Sequence, residues 1–229
     1  MTDAARAFFD AIARRYDRAY APDSRSTRER VAKIAAYFAP RARILDLGVG
    51  TGRELSVLQD LGFRPTGVDV SKEMLALCAR RARPIPLVEA DFWRPLPVED
   101  GAFDGVLALH GTLAHPPDVA AYVALGAEIA RVLGPEGVFA AEVPARAWLE
   151  RVPVDAALTS DDRRVRRASA DECAYDDLVT GASITAFIPE NSRWPALFAP
   201  ALEVRVEPLD EDTIALVGRA ARAKAIEAT

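Results

Sequence analysis

Hydrophobic and polar positions follow one rhythm at the start of the chain and another from about residue 43. Phe8 or Phe9, Ile12, Tyr16 and Tyr20 recur at steps of three to four residues, the spacing of one helix face. Ala21-Pro22-Asp23-Ser24 interrupts that face, and a second helix is expected up to about Phe38, where Pro40 stops it. Short apolar runs then alternate with helical stretches. Strands are expected at 43–47, 65–69, 86–90, 103–109 and 138–143, with helices at 52–61, 71–81 and 116–133 between them. Ser71 is placed to cap the second of these helices and Gly134 to end the third. Strands that alternate with helices imply right-handed crossovers and a parallel sheet. After residue 144 the alternation gives way to an irregular, charge-rich stretch. Further strands are expected at 183–188, 203–208 and 213–218, the last two close enough to pair antiparallel. The expected organisation is one domain over 1–229: a helical cap (1–40), a core (41–143), a variable insertion (144–180) and C-terminal strands (181–229).

Chemistry concentrates at the strand ends. Leu45-Asp46-Leu47 runs into Gly48-Val49-Gly50-Thr51-Gly52-Arg53 and then a helix. Glycines there let a ligand approach the backbone, and the helix N-terminus offers unpaired N–H groups. The dinucleotide fingerprint is GxGxxG, whereas these glycines make GxGxG, with Arg53 where the third dinucleotide glycine would stand. Asp46, just inside the strand end, suits an amino group. Asp69, closing the second strand, suits the two hydroxyls of a ribose. At the third strand end, Asp91 suits an adenine amino group and Phe92 the face of the base. The fourth strand delivers Leu109 and His110 to the same carboxyl edge, where open α/β sheets bind ligands.

From about Phe8 to Val143 the chain resembles the class I S-adenosylmethionine-dependent methyltransferases of the small-molecule type. The resemblance rests on LDLGVGTGRE, GVDVSKEML, EADFWRPLPVEDGAFDGVLAL and RVLGPEGVFAAEV, in that order. It implies a Rossmann-like α/β fold, with a seven-stranded, mostly parallel sheet of order 3-2-1-4-5-7-6 whose last strand is antiparallel. It also implies methionine contacts at Asp46, Gly48 and Gly50, ribose contacts at Asp69, and adenine contacts at Val70, Asp91 and Phe92. Tyr16, Arg53, Met74 and Leu109 complete the expected cofactor site. The expected product is S-adenosylhomocysteine.

His110 and His115, the two histidines of the chain, share one loop facing the expected crevice. Imidazole titrates near neutrality, so either suits a general base; the alternative is that they pack under the loop or merely line it. Arg163-Arg164-Val165-Arg166-Arg167, flanked by Asp161-Asp162 and Asp171-Glu172, reads as a solvated, self-neutralising helix, with an anion grip as the other reading. Trp148, Trp194 and Phe198 are candidates for an acceptor pocket or for the core.

A net charge of −5 works against a nucleic-acid partner, which calls for a basic excess. No apolar run approaches the roughly 18 residues of a membrane span, and Met1-Thr2-Asp3 opens no secretory leader. Cys78 and Cys173 form no CxxC or metal-ligand spacing and no metal is expected; the lack of export and disulfide signals points to the cytoplasm. The expected activity is methyl transfer to an oxygen or nitrogen of a small molecule, by a monomer or homodimer. A non-catalytic binder of the cofactor and a protein or RNA methyltransferase are the alternatives, and the acceptor itself stays open.

Overall fold

The computed structural model describes residues 2–20, 24–81, 84–154, 156–160 and 162–221. Two helices lead, α1 (Thr2–Tyr20) and α2 (Ser24–Ala35). The alternating core follows as β1 (Arg43–Leu47), α3 (Arg53–Asp60), β2 (Arg64–Asp69), α4 (Lys72–Arg81), β3 (Leu87–Glu89), β4 (Phe103–Ala108), α5 (Ala121–Val132) and β5 (Leu133–Pro144). Then come α6 (Arg146–Glu150), β6 (Ala157–Thr159), β7 (Arg163–Arg167), β8 (Glu172–Asp177) and β9 (Ser183–Phe187). The chain closes with α7 (Trp194–Leu197), β10 (Leu202–Pro208) and β11 (Thr213–Ala220).

The main sheet has seven strands in the order β10-β11-β5-β4-β1-β2-β3. Strands β3, β2, β1, β4 and β5 run parallel to one another, and β11 lies antiparallel to both β5 and β10. This is the expected order, with the hairpin partner β11 inserted next to β5. Alternate residues feed the two faces. Leu45, Leu47, Phe139 and Ala141 pack with α5 and α7, while Ile44, Val138 and Ala140 pack with α2 and α3. Burial on both faces is why these strands read as apolar runs rather than as alternations.

Local chemistry sets the element ends. Ser71 caps α4 as expected, its Oγ accepting the Met74 N–H at 3.1 Å. Helix α5 begins at Ala121 rather than at the expected Pro116. Asp118 Oδ1 accepts the Ala121 N–H at 2.9 Å, so the carboxylate, not the prolines, starts the helix. It ends at Val132, and the strand after it already starts at Leu133.

The larger departure lies beyond β5. The stretch expected to be irregular forms a second sheet, antiparallel, in the order β6-β7-β8-β9. The basic run is strand β7, not a helix. Its charges are met across the sheet: Arg164 lies opposite Asp176 and Arg163 opposite Asp177, and Arg166 Nε reaches Asp176 at 3.4 Å. Strand β9 belongs to this sheet, so the second structural unit runs on to Phe187, past the expected boundary at 180. No helix among the described residues is long and apolar enough to cross a membrane.

Candidate active site

At the carboxyl edge of the parallel strands lies a cavity of about 410 Å³. The main sheet forms its floor. Helix α1 covers it with Phe8, Phe9, Ile12 and Tyr16, and the second sheet closes the side with Arg163, Tyr175, Ile184 and Ala186. A recess of about 30 Å³ adjoins it, sharing Tyr16, Gly48, Gly50, His110 and Thr112 with the main cavity. Asp69, Val70, Met74, Asp91, Phe92 and His115 line the main cavity, while Asp46, Arg53 and Leu109 line the recess. The structure thus gathers around one void every residue that the sequence singled out for the cofactor. The side chain of Tyr20 lies outside the described residues.

The glycine loop is shaped by close approach. Gly48 has φ +70°, and a Cβ there would stand 2.4 Å from Thr112 Cγ2. Gly52 has φ +75° and would meet Cys78 Sγ at 2.6 Å. Asp69 ties the loop to the second strand end: its carboxylate accepts the Gly50 N–H and the Ser71 N–H, both at 2.8 Å. Burial still holds its carboxyl above the usual range, although the backbone N–H groups that it accepts pull the other way. A carboxylate offers about four lone-pair sites, so capacity for hydroxyl donors remains.

One carboxyl is set apart by its surroundings, and two further groups by the partners that they lack. Asp46 is buried, and burial, with Glu54 and Asp69 nearby, pushes its carboxyl well above the usual carboxylate range. Arg53 forms long ion pairs with Asp17 at 3.4 Å and Glu54 at 3.7 Å, yet its buried Nη1 has no hydrogen-bond partner. Asp91 Oδ1 accepts the Trp93 N–H at 3.1 Å, while its buried Oδ2 has no hydrogen bond and only the exposed Arg94 3.5 Å away. Buried polar groups are ordinarily satisfied, so Arg53 Nη1 and Asp91 Oδ2 mark where a ligand's polar groups belong.

The two histidines are held differently. His110 sits in the left-handed region at φ 53°, followed by Gly111 at 70°, which turns the chain out of β4. Its Nε2 lies 2.6 Å from Glu54 Oε1. Burial pushes the Glu54 carboxyl up, but the hydrogen bond and charge of His110 outweigh it, and the net shift is downward. The carboxylate therefore accepts the Nε2 proton, and a neutral His110 keeps its lone pair on Nδ1. His115 Nδ1 lies 2.8 Å from the Thr185 carbonyl, with the Phe9 ring edge-on at 5.9 Å. Burial lowers its pKa below the usual value, and the Thr185 carbonyl only partly offsets this. A carbonyl can only accept, so Nδ1 carries the proton and Nε2 holds the lone pair.

Tyr16 is half-buried beside Arg53, whose guanidinium lies 5.6 Å from its ring centre, and desolvation pushes the phenol up to about 12. Trp148 lines the cavity, stacked on Tyr175 at 5.9 Å with 12° between the rings. Trp194 and Phe198 instead pack in the core around Tyr122. Phe9, Glu54, Glu142, Tyr175 and Thr213 were not anticipated from sequence. Glu142 alone carried a visible signal, as the one charge within the apolar run 138–143.

Residues 44–137 match the family described as a methyltransferase domain. The Bacillus subtilis protein YqeM, whose name places it provisionally among the methyltransferases, is 28% identical over 182 residues, 78% of this chain and 72% of that one. Other relatives are matched over 46% to 55% of their own length. The CcbJ methyltransferase from Streptomyces caelestis shares the fold with a TM-score of 0.77 at 21% identity, over 93% of this chain and 98% of that one. The Burkholderia thailandensis 1,6-didemethyltoxoflavin-N1-methyltransferase, solved with 1,6-didemethyltoxoflavin and S-adenosylhomocysteine bound, gives 0.65 at 20% identity, over 96% and 88%. The glycine loop, Asp69 and the residues of β4 lie inside the matched region. The second sheet and β11 lie beyond it.

Proposed function

We propose that the protein is an S-adenosylmethionine-dependent methyltransferase that acts on an oxygen or nitrogen of a small-molecule acceptor, and that residues 1–229 work as one unit. The observation that carries this reading is the recess beside Gly48 and Gly50, where a buried carboxyl and an unpartnered guanidinium nitrogen share one small space. A zwitterionic amino-acid tail answers both. Its ammonium meets Asp46 and its carboxylate meets Arg53, while Gly48 and Gly50 leave room for the chain between them. Asp69 accepts the ribose hydroxyls. Asp91 Oδ2 accepts the adenine amino group, with Val70, Met74 and Phe92 against the base. Leu109 and Tyr16 close the recess, and the Tyr16 ring is suited to face a sulfonium cation.

S-adenosylmethionine supplies a methyl carbon made electrophilic by a positive sulfur, and the C–S bonding pair stays on sulfur when that carbon is transferred. The protein's part is alignment, exclusion of water and proton management. His115 Nε2 takes the proton that the acceptor's oxygen or nitrogen gives up as its lone pair forms the new bond. His110, held by Glu54, is the second candidate, with Nδ1 as the receiving atom. A cavity of about 410 Å³ and a net charge of −5 favour a small molecule over RNA, and the two free buried cysteines suit a reducing cytoplasm.

Titration calorimetry with S-adenosylmethionine and S-adenosylhomocysteine is the test. Both are expected to bind, and Asp69→Ala is expected to weaken both by about tenfold or more, the loss of charge-assisted hydrogen bonds to two hydroxyls. Folded wild-type protein that binds neither would end the reading.

A further inference from the structure

Glu142 stands in the middle of a buried apolar strand and is 2% exposed. Taking a carboxylate out of water costs several kcal/mol unless partners answer it. Its Oε1 is answered by Arg30 on α2, which also reaches Asp210 at 3.6 Å. Its Oε2 is buried without a hydrogen-bond partner, and so is the hydroxyl of Thr213. Both residues line the main cavity. They come from paired strands: Thr213 opens β11 opposite Pro144, two residues beyond Glu142. Neither lines the recess assigned to the amino-acid tail, and neither has a role in the adenosine contacts. The same cavity holds the stacked pair Trp148 and Tyr175, together with Phe9.

The chemistry of this set is directional. A carboxylate oxygen is an acceptor only, and the threonine hydroxyl can accept as well as donate. Aromatic faces attract a cation and give a flat body its contact area. An anionic group placed here would meet Glu142. Among the described residues the one arginine lining the cavity is Arg163, and it is already engaged in an interaction of its own.

We propose that the methyl acceptor is an amine carried on a flat apolar body, its N–H groups donated to Glu142 Oε2 and Thr213 Oγ1 and its body lying against Trp148 and Tyr175. This rests on the methyl-transfer reading of the same cavity. It assigns the acceptor end of the cavity to β5, β11 and the second sheet, apart from the strand ends that serve the cofactor.

The test uses the full chain saturated with S-adenosylhomocysteine and three probes of one shape: 2-phenylethylamine, 2-phenylethanol and 3-phenylpropanoate. Binding is read by ligand-observed NMR titration. The amine is expected to bind about tenfold more tightly than the alcohol or the acid, the preference of a charge-assisted hydrogen bond over a neutral one. Glu142→Gln is expected to abolish that preference. Thr213→Val, which keeps shape and leaves the Arg30 pair intact, is expected to weaken the amine by about threefold, one neutral hydrogen bond. S-adenosylhomocysteine affinity should be unchanged in both variants. The proposal is overturned if the alcohol or the acid binds as well as the amine, if the amine does not bind, or if both variants bind it like wild type. Failure of wild-type protein to bind S-adenosylhomocysteine would instead remove the methyl-transfer reading beneath it.

Discussion

Under the proposed reading, Asp46 trades stability for binding. Its native pKa is raised by burial, so its contribution to stability is present below the usual carboxylate value and is lost as pH rises through the native value. Above that value it is a buried anion waiting for a cation. Asp46→Asn is therefore expected to raise the melting temperature of the ligand-free protein at neutral pH while weakening S-adenosylmethionine. Thermal melts paired with calorimetry check both signs, and a variant that melts lower and binds as before contradicts the assignment. Binding of the ammonium should also drive Asp46 to ionise, so proton release is expected across buffers of different ionisation enthalpy. His115 carries a second expectation. Its lowered pKa keeps the imidazole neutral at physiological pH, so the methylation rate should rise through a pKa below 6.5 and then level off. His115→Ala should reduce kcat by about a hundredfold, the span of general base catalysis. If His115→Ala and His110→Ala each leave the rate near wild type, neither serves as the base. At this scale the cofactor side was legible and the acceptor side was not. Asp46, Asp69 and Asp91 stand at strand ends in a recognisable order. Tyr175 and Thr213 reach the same void from distant stretches of chain whose placement depends on tertiary packing.

Among the elements, α1 and the second sheet decide how the cavity is enclosed. Helix α1 is fastened on both sides. Asp17 accepts the Thr51 hydroxyl at 2.6 Å beside the glycine loop and pairs with Arg81 on α4. Arg15 pairs with Asp177 and, at 3.0 Å, with Asp162 on the second sheet. Asp177 is 1% exposed, so Arg15→Ala takes one guanidinium from a buried carboxylate, which keeps the N–H groups of Val179 and Thr180. The expected loss is about 3 kcal/mol of stability, read from urea denaturation, with faster amide exchange along α1. Strands β1, β2, β4 and β5 could be read from sequence because burial on both faces makes them continuous apolar runs ended by glycine or acid. The second sheet could not. In β7 only Val165 is buried, and its four arginines look like a solvated helix until the acids of β8 are set opposite them. Charge pairing along a helix and across two strands leaves the same composition in the sequence.

For the molecule as a whole, a ligand that occupies both compartments binds only the folded chain. S-adenosylhomocysteine at a hundredfold above its dissociation constant is expected to stabilise by about 2.7 kcal/mol, roughly 8 °C in melting temperature for a chain of this size. The rise should shrink markedly in Asp69→Ala, and an equal rise in that variant would place the ligand elsewhere. One feature reaches beyond stability. The same helix lies over the glycine loop and against β9, so its two anchors tie that loop to the second sheet. Loosening Arg15 or Asp17 should widen the mouth of the cavity between them. Spent product should then leave sooner from a variant that lacks the Arg15 guanidinium, while a single round of bond-making keeps its wild-type pace.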